Sequence, residues 1–561
     1  MAAIRKRERA FVPLLIAGAF CGLPLMALAW TALWPDDPTA TRAAWDAVIH
    51  RRGTILALAL RTIGYAAVSA TVAMVIGAPA GAVAAVWRLR YARIAAVLFP
   101  AAFIFPAVWH AGALLQWLGG VRFGDGAETF RPFEVRISQG WFPAAGLLAG
   151  LWLAPLAAWL TMTVLFKMRT DSGSYEDAAL QFASPTRAFF CITLAAAVRP
   201  LMGIWLLAAA LATGSLAATD LLGVRVFSEE IFVCLNSPSL FPAAAALSLF
   251  PAFFAGAALL VSLRLVKPVL ATDALDAGRP GGLYCFETRW GRASVETAVV
   301  LIAVFFLAFP LSSVFFSQFQ NETHSISQIL LQASVARDSV LTSARIGLFA
   351  GFTATAAAMP IAVFLRRAGN RNAARFLLIA LLAFALATPP SAWGAAFHRL
   401  GDIAFRLVGG RSGAAYPAYD YIRNQSLILT SFAISARFLP VAVLLQTVSL
   451  NRLPDSIFYA ADLFDGRAVS LWRSIYWPLL KRPALMSAWI IAALAIGELG
   501  CVYLLAPAGF HPATRTLLNA LHSMNSSAVS GFGVWFGALA IVFAAGMAAL
   551  QIIDSRPARK I

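Results

Sequence analysis

Tyr459–Pro483, YAADLFDGRAVSLWRSIYWPLLKRP, and a weaker copy at Glu176–Pro200, EDAALQFASPTRAFFCITLAAAVRP, decide how the chain is read. Each is a short polar segment between two long apolar runs. Each predicts a helix, a break and a second helix closed by Arg-Pro. In the later copy Pro454-Asp455-Ser456 marks a helix start, Asp465-Gly466 a turn and Pro478 a stop. In the earlier copy Ser174 stands three residues before Asp177, the spacing of a capping box, and Ser184-Pro185 supplies the break. A polar helix-turn-helix held at the surface of an apolar bundle has the shape of a plug for a soluble partner.

The two copies share one register. Ile192 and Ile475, Arg199 and Arg482, and Pro200 and Pro483 all stand 283 positions apart, as do Ala178 and Ala461 and Leu180 and Leu463. Outside the two segments the same offset pairs Gly214 with Gly497, Pro106 with Pro389 and Gly64 with Gly347. Agreement that far from the segments themselves points to an internal repeat.

Of the 561 residues, 60% are hydrophobic and 12% charged. A soluble domain has no use for so much apolar surface, so the composition is that of an integral membrane protein. Apolar runs long enough to span a bilayer, about 20 residues each, fall at 10–33, 54–87, 94–118, 142–166, 201–224, 241–263, 295–317, 338–365, 376–397, 426–449, 484–507 and 530–553. The expected fold is therefore all-α and polytopic, with about twelve transmembrane helices as two parallel six-helix repeats. The expected organisation is an N-terminal helix and outer loop over 1–53, a first transmembrane domain over 54–263 and a cytoplasmic linker over 264–294. A helix and outer loop over 295–337, a second transmembrane domain over 338–553 and a cytoplasmic tail over 554–561 follow.

Basic residues set the orientation. With the N-terminus inside, the cytoplasmic segments hold 28 Lys and Arg and the outer loops 13. That bias places both termini and both polar copies in the cytoplasm, and keeps the first helix as a span rather than a cleaved leader. The net charge of +18 punctuates apolar runs and forms no basic face, so nucleic-acid binding is not expected. The five cysteines show no CxxC and the six histidines no ligand spacing, so neither a metal site nor a cofactor is expected. The only lysines are Lys6, Lys167, Lys267, Lys481 and Lys560, none preceded by Gly, which excludes a Walker loop in this chain.

Four charges fall inside apolar runs. Arg61 and Arg345 sit near outer ends, where long side chains snorkel. Arg437 and Glu498 are deeper, and an ionised group there asks for a partner or a watery path. They read as lining or bracing a translocation path, or equally as a structural pair. His110 reads as a path residue or, better, as a satisfied interior histidine.

The twin segments resemble the EAA loops of binding-protein-dependent ABC importer permeases, whose pattern is Glu-Ala-Ala, a Gly six after the Glu, then Ile-x-Leu-Pro. The first copy keeps Glu176, Ala178, Ile192 and Leu194, with Phe182 at the Gly and Ala195 at the Pro. The second has Tyr459 for the Glu, keeps Ala460, Ala461, Ile475 and Pro478, and puts Gly466 one position late. Gly497-Glu498-Leu499-Gly500, Leu505–Gly509 and Thr516-Leu517 are similar to a stretch in fused two-domain permeases of the iron(III) type. The resemblance implies a bacterial inner-membrane permease without enzymatic activity of its own, embedded in membrane lipid. It implies a separate ABC ATPase dimer docked on Glu176, Asp177, Ala178, Ala179 and Ile192 in one loop and Ala460, Ala461, Asp465, Gly466, Ile475 and Pro478 in the other. It also implies a periplasmic or extracellular solute-binding protein, and iron(III) or its chelate as solute, with thiamine, polyamine and phosphonate open. The rival reading is a secondary transporter with two six-helix halves, which predicts paired carboxylates or interrupted helices at midplane.

Overall fold

Backbone amides that face lipid find no water, so an apolar run of spanning length satisfies its hydrogen bonds internally, as a helix. The computed structural model describes residues 11–33, 52–86, 92–117, 142–235, 237, 240–270, 289–319, 326–368, 372–451, 453, 456–458, 472–523 and 526–555. No strand occurs among them, and the protein is an all-α polytopic bundle. The first half consists of α1 (Phe11–Leu33), α2 (Arg52–Val86), α3 (Ala92–Ala101), α4 (Ala107–Trp117), α5 (Phe142–Leu180), α6 (Phe189–Thr213), α7 (Ala217–Leu221), α8 (Phe227–Leu235) and α9 (Phe241–Leu270). The second half repeats them in order: α10 (Arg289–Phe319), α11 (Ile326–Arg367), α12 (Ala373–Ala387), α13 (Pro390–Leu407), α14 (Ile428–Leu450), α15 (Arg473–Ile496), α16 (Gly500–Leu505), α17 (Ala513–His522) and α18 (Ser526–Ser555).

Among the described residues, ten helices are long and apolar enough to cross a membrane. Two expected spans, 94–118 and 376–397, are instead bent pairs: α3 and α4 meet at 91° and α12 and α13 at 107°. Each bend sits at an X-Pro step, Phe105-Pro106 and Thr388-Pro389, where the residue before proline is held extended.

Contact register decides what the bent pairs do. On α2 and α5, Tyr65 and Val68 lie against Gly146, Val72 against Gly150, and Gly77 and Gly81 against Ala154 and Ala158. Numbers rise together, so α2 and α5 run parallel, with small residues letting the backbones close. The chain therefore crosses back between them, and α3–α4 is the described part of that return. In the second half Thr353 meets Ser435 and Arg366 reaches the Leu453 carbonyl at 3.4 Å, so α11 and α14 are parallel too. The bent pair α12–α13 is their return. Counted this way each half crosses six times.

Further expectations are corrected. The spans expected at 201–224 and 484–507 lie at Phe189–Thr213 and Arg473–Ile496. Arg199-Pro200 and Arg482-Pro483 do not close a helix, because both prolines are inside continuous ones. A proline removes one backbone hydrogen bond, and neighbours on both arms keep the helix running. Pro478 stops nothing, since it lies inside α15, just after the π turn that opens it. Ser174 starts nothing either, lying within the unbroken α5. The linker expected over 264–294 is helical at its margins, and 271–288 lies outside the described residues.

The halves point the same way. Ser262 donates to the Gly203 carbonyl at 2.7 Å and Ala210 packs on Ala255 and Leu259, so α9 is antiparallel to α6. Along α9, Gly256 faces Phe384 of α12 and Phe241 faces His398 of α13. The second bent pair thus climbs away from the end at which α6 begins and α9 finishes. That end, here the loop end, also holds the close of α11, where Arg366 and Arg367 reach the Leu453 and Phe458 carbonyls. The Ser184-Pro185 turn, Leu453 and Phe458 are therefore at one end of the bundle, and α7, α8, α16 and α17 are at the other, the far end.

Candidate functional site

At the loop end the first copy folds as a break between helices. α5 stops at Leu180, and Ser184 caps the next turn by accepting from the Arg187 amide at 3.4 Å. The chain then enters α6 through a π-helical turn, Phe189–Leu194, and α15 opens on the matching turn, Trp472–Tyr476. Glu176, Asp177, Ala178 and Ala179 form the last turns of α5, with Ala178 exposed. Ile192 and Ile475 are half-buried in the two π turns and Pro478 is exposed. Ala460, Ala461, Asp465 and Gly466 lie outside the described residues.

The loops differ in their footing. Phe182 at the tip of the first is 90% exposed, and Phe190 is exposed as well. In the second, Phe458 and Tyr476 are buried beneath Arg366 and Arg367, whose guanidinium groups lie 5.2 and 5.9 Å from the two rings. Cation–ring contacts of this kind hold a loop against its helix. Sequence reasoning passed over Arg366 and Arg367, although two adjacent arginines at a helix end were a signal.

Between the halves lie two helix breaks. α6 ends at Gly214-Ser215 and α15 at Gly497-Glu498, each against the proline bend of the opposite half. A Cβ on Gly214 would stand 3.2 Å from Pro390, and one on Gly497 3.4 Å from Pro106. This exchange is the isologous pattern of a two-fold relation, here within one chain.

A short helix at the far end is held in each half by the same two bonds, one to the break carbonyl and one to a side chain of the long helix α2 or α11. The Ser228 hydroxyl donates to the Ser215 carbonyl at 3.2 Å, and the Phe227 amide donates to Thr62 Oγ1 at 3.1 Å. In the second half Thr514 donates to the Glu498 carbonyl at 2.8 Å, and the Ala513 amide to Ser343 Oγ at 2.9 Å. The stitching pairs Ser228 with Thr514, 286 positions apart, so three extra residues separate break from helix in the second half. That shift hides the correspondence in the sequence.

Arg437 and Glu498 meet as an ion pair, with the Glu498 side chain 4% exposed. The other carboxylate oxygen, Oε1, accepts from the Cys501 amide at 3.3 Å and so caps the first turn of α16. The Arg437 guanidinium lies 4.9 Å from the Phe438 ring, and its Nε finds no acceptor among the described residues. Cys501 Sγ in turn donates to the Pro390 carbonyl at 3.1 Å. At the corresponding places the first half has Ala154 and Ser215. The pair thus braces one break only. Desolvating both charges is costly, and their mutual attraction offsets that only because the carboxylate has a second donor.

His110 stands one turn beyond the first bend. It is buried, with Nδ1 3.4 Å from the Pro106 carbonyl and Nε2 without a partner among the described residues. The structure brings Glu498 to Arg437 and does not join His110 to either. Arg61 and Arg345 are both exposed on the sides of their helices. No group of three His, Cys, Asp or Glu side chains converges as a metal site among the described residues.

The far end carries a second polar cluster. His522, the last residue of α17, lies 3.3 Å from Asp220 of α7. Arg225 pairs with Glu230 at 3.3 Å. Burial, then the neighbouring Asp220 and Glu230, push the Glu229 carboxyl up to about 7, against the pull of Arg225. Burial likewise raises Asp220, partly opposed by His522. No family model matches the chain, and no curated protein matches it.

Proposed function

We propose that the chain is the membrane-spanning permease of a binding-protein-dependent ABC importer, moving a small solute through the seam between its two halves. The observation that carries this reading is the pair of corresponding helix entries, Phe189–Leu194 and Trp472–Tyr476, at one end of a two-fold bundle. A symmetric ATPase dimer needs two equivalent sockets on one face, and a parallel repeat supplies them in a single chain. Closure of that dimer pushes on the two loops and shifts the bundle between packed arrangements around the proline bends. The loop end is then cytoplasmic, and a solute-binding protein of the periplasm or cell exterior delivers to the far end. Iron(III) or an iron chelate is the favoured solute; thiamine, polyamine and phosphonate-type solutes are the alternatives.

Co-purification with an ATPase encoded beside the gene tests the reading. Replacing Tyr459–Ala468 with a Gly/Ser stretch abolishes co-purification and solute-stimulated hydrolysis while leaving the permease in the membrane. Retention of a fully stimulated ATPase by that variant overturns the assignment.

A second reading is favoured by a specific observation. Interrupted helices are what a gradient-driven secondary transporter with two six-helix halves predicts. Uptake into vesicles containing only this chain, driven by an imposed ion gradient, supports that reading and sinks the first.

A further inference from the structure

The far end is where the halves reach across to each other. Leu521, in the last turn of α17, presses on Gly112 of α4, a Cβ on which would stand 2.9 Å from the leucine. The next residue, His522, meets Asp220 of α7. The reciprocal contact, α8 on α13, is apolar, with Ile231, Cys234 and Leu235 against Ala392, Ala395 and Ala396. One of the two crossings is thus greasy and the other ionisable.

Beside the ionisable crossing lies Glu229. Its Oε2 is buried and accepts no hydrogen bond among the described residues. The charged groups around it are Asp220 from α7, Arg225 from the turn before α8, Glu230 from α8 itself and, beyond Asp220, His522 from α17. Arg515 of α17 is turned instead over the Tyr503 ring, at 5.2 Å. Three carboxylates therefore share two cations in a confined space, and one of those cations, His522, is charged only when protonated.

We propose that Glu229 and the Asp220–His522 contact form a proton-weighted clasp between the two halves, holding the far end closed when protonated and loosening it as the pH rises. The direction follows from linkage. In the closed arrangement Glu229 titrates at about 7; released into water it returns to the ordinary carboxylate range. The closed form therefore binds more protons than the open one, and protons favour closure. A protonated His522 facing Asp220 acts in the same sense. Once Glu229 ionises, its charge repels the neighbouring Asp220 and Glu230. Closure of the bundle on itself in this way needs neither a motor nor a transported solute.

The test uses the full chain in lipid nanodiscs, without ATPase or solute. Spin labels go on Leu240→Cys and Ala508→Cys, exposed far-end positions of opposite halves, with Cys191→Ser and Cys285→Ser removing other reactive thiols. A single carboxyl behaving as Glu229 does shifts the closed-to-open ratio about tenfold between about pH 6 and pH 8. Label distances are expected to lengthen over that range in the parent, and Glu229→Gln to hold them near the acid value. His522→Gln is expected to lower the closed population while keeping a titration near neutrality. An unchanged distance distribution in the parent, or a full pH response in Glu229→Gln, overturns the clasp. Independently, the parent must lose a protonated-carboxyl infrared band between those pH values; no such loss also overturns it.

Discussion

The breaks at Gly214-Ser215 and Gly497-Glu498 share a backbone plan and differ in chemistry. Both follow a long helix that begins with a π turn, both abut the opposite proline bend, and both are stitched by a hydroxyl to the following short helix. Only the second carries an ion pair. Duplication has kept what the path of the chain requires, and the side chain at the break itself has diverged. Ser215 stands where the second half has Glu498, and Ala154 where it has Arg437; only in the second half do these two positions carry charges, and there they pair.

The sharpest way to break this comparison is to make the second half resemble the first. Glu498→Leu leaves Arg437 buried without its partner, and a loss of about 3–5 kcal/mol is expected in unfolding of the detergent-solubilised chain. Arg437→Ala combined with Glu498→Ser transplants the first half's residues and is expected to recover most of that loss. A double variant as unstable as the single one shows that the breaks are not interchangeable. For function, Glu498→Gln at unchanged expression reports on the path: undiminished uptake assigns the pair a bracing role alone.

A smaller effect probes the shared backbone. Val at Gly497 presses on Pro106 and Val at Gly214 on Pro390, each costing about 1–3 kcal/mol through overpacking. Similar losses sharpen the two-fold relation, and a tolerant Gly214 would break it. The smallest effect concerns the stitches. Ser228→Ala and Thr514→Val each remove one donor to a break carbonyl and are expected to cost about 1 kcal/mol. Equal losses in thermal unfolding confirm that the 286-residue pairing is the structural one.

Much of the fold was legible. Apolar length marked ten of the spans, and the 283-residue offset that joins Pro106 to Pro389 and Gly214 to Gly497 marked residues that meet across the seam. Helix ends near proline were misread, because Pro200, Pro483 and Pro478 carry the same local signal whether a helix stops, kinks or starts. The site was half legible. Arg437 and Glu498 stood out as buried charges, but their pairing joins α14 to the end of α15, 61 positions away, and no local pattern encodes it. The Asp220–His522 contact spans a longer separation still and was not foreseen.

By itself the sequence determined that this chain crosses a membrane as helices and does so twice over. Both follow from a one-dimensional quantity: in lipid each apolar run must satisfy its own backbone, and a repeated run does so in the same way. Only the tertiary structure decided where the helices bend, which half each break leans on, and which charges find partners. Those depend on which faces meet, and the closeness of two faces is set by every small residue between them at once.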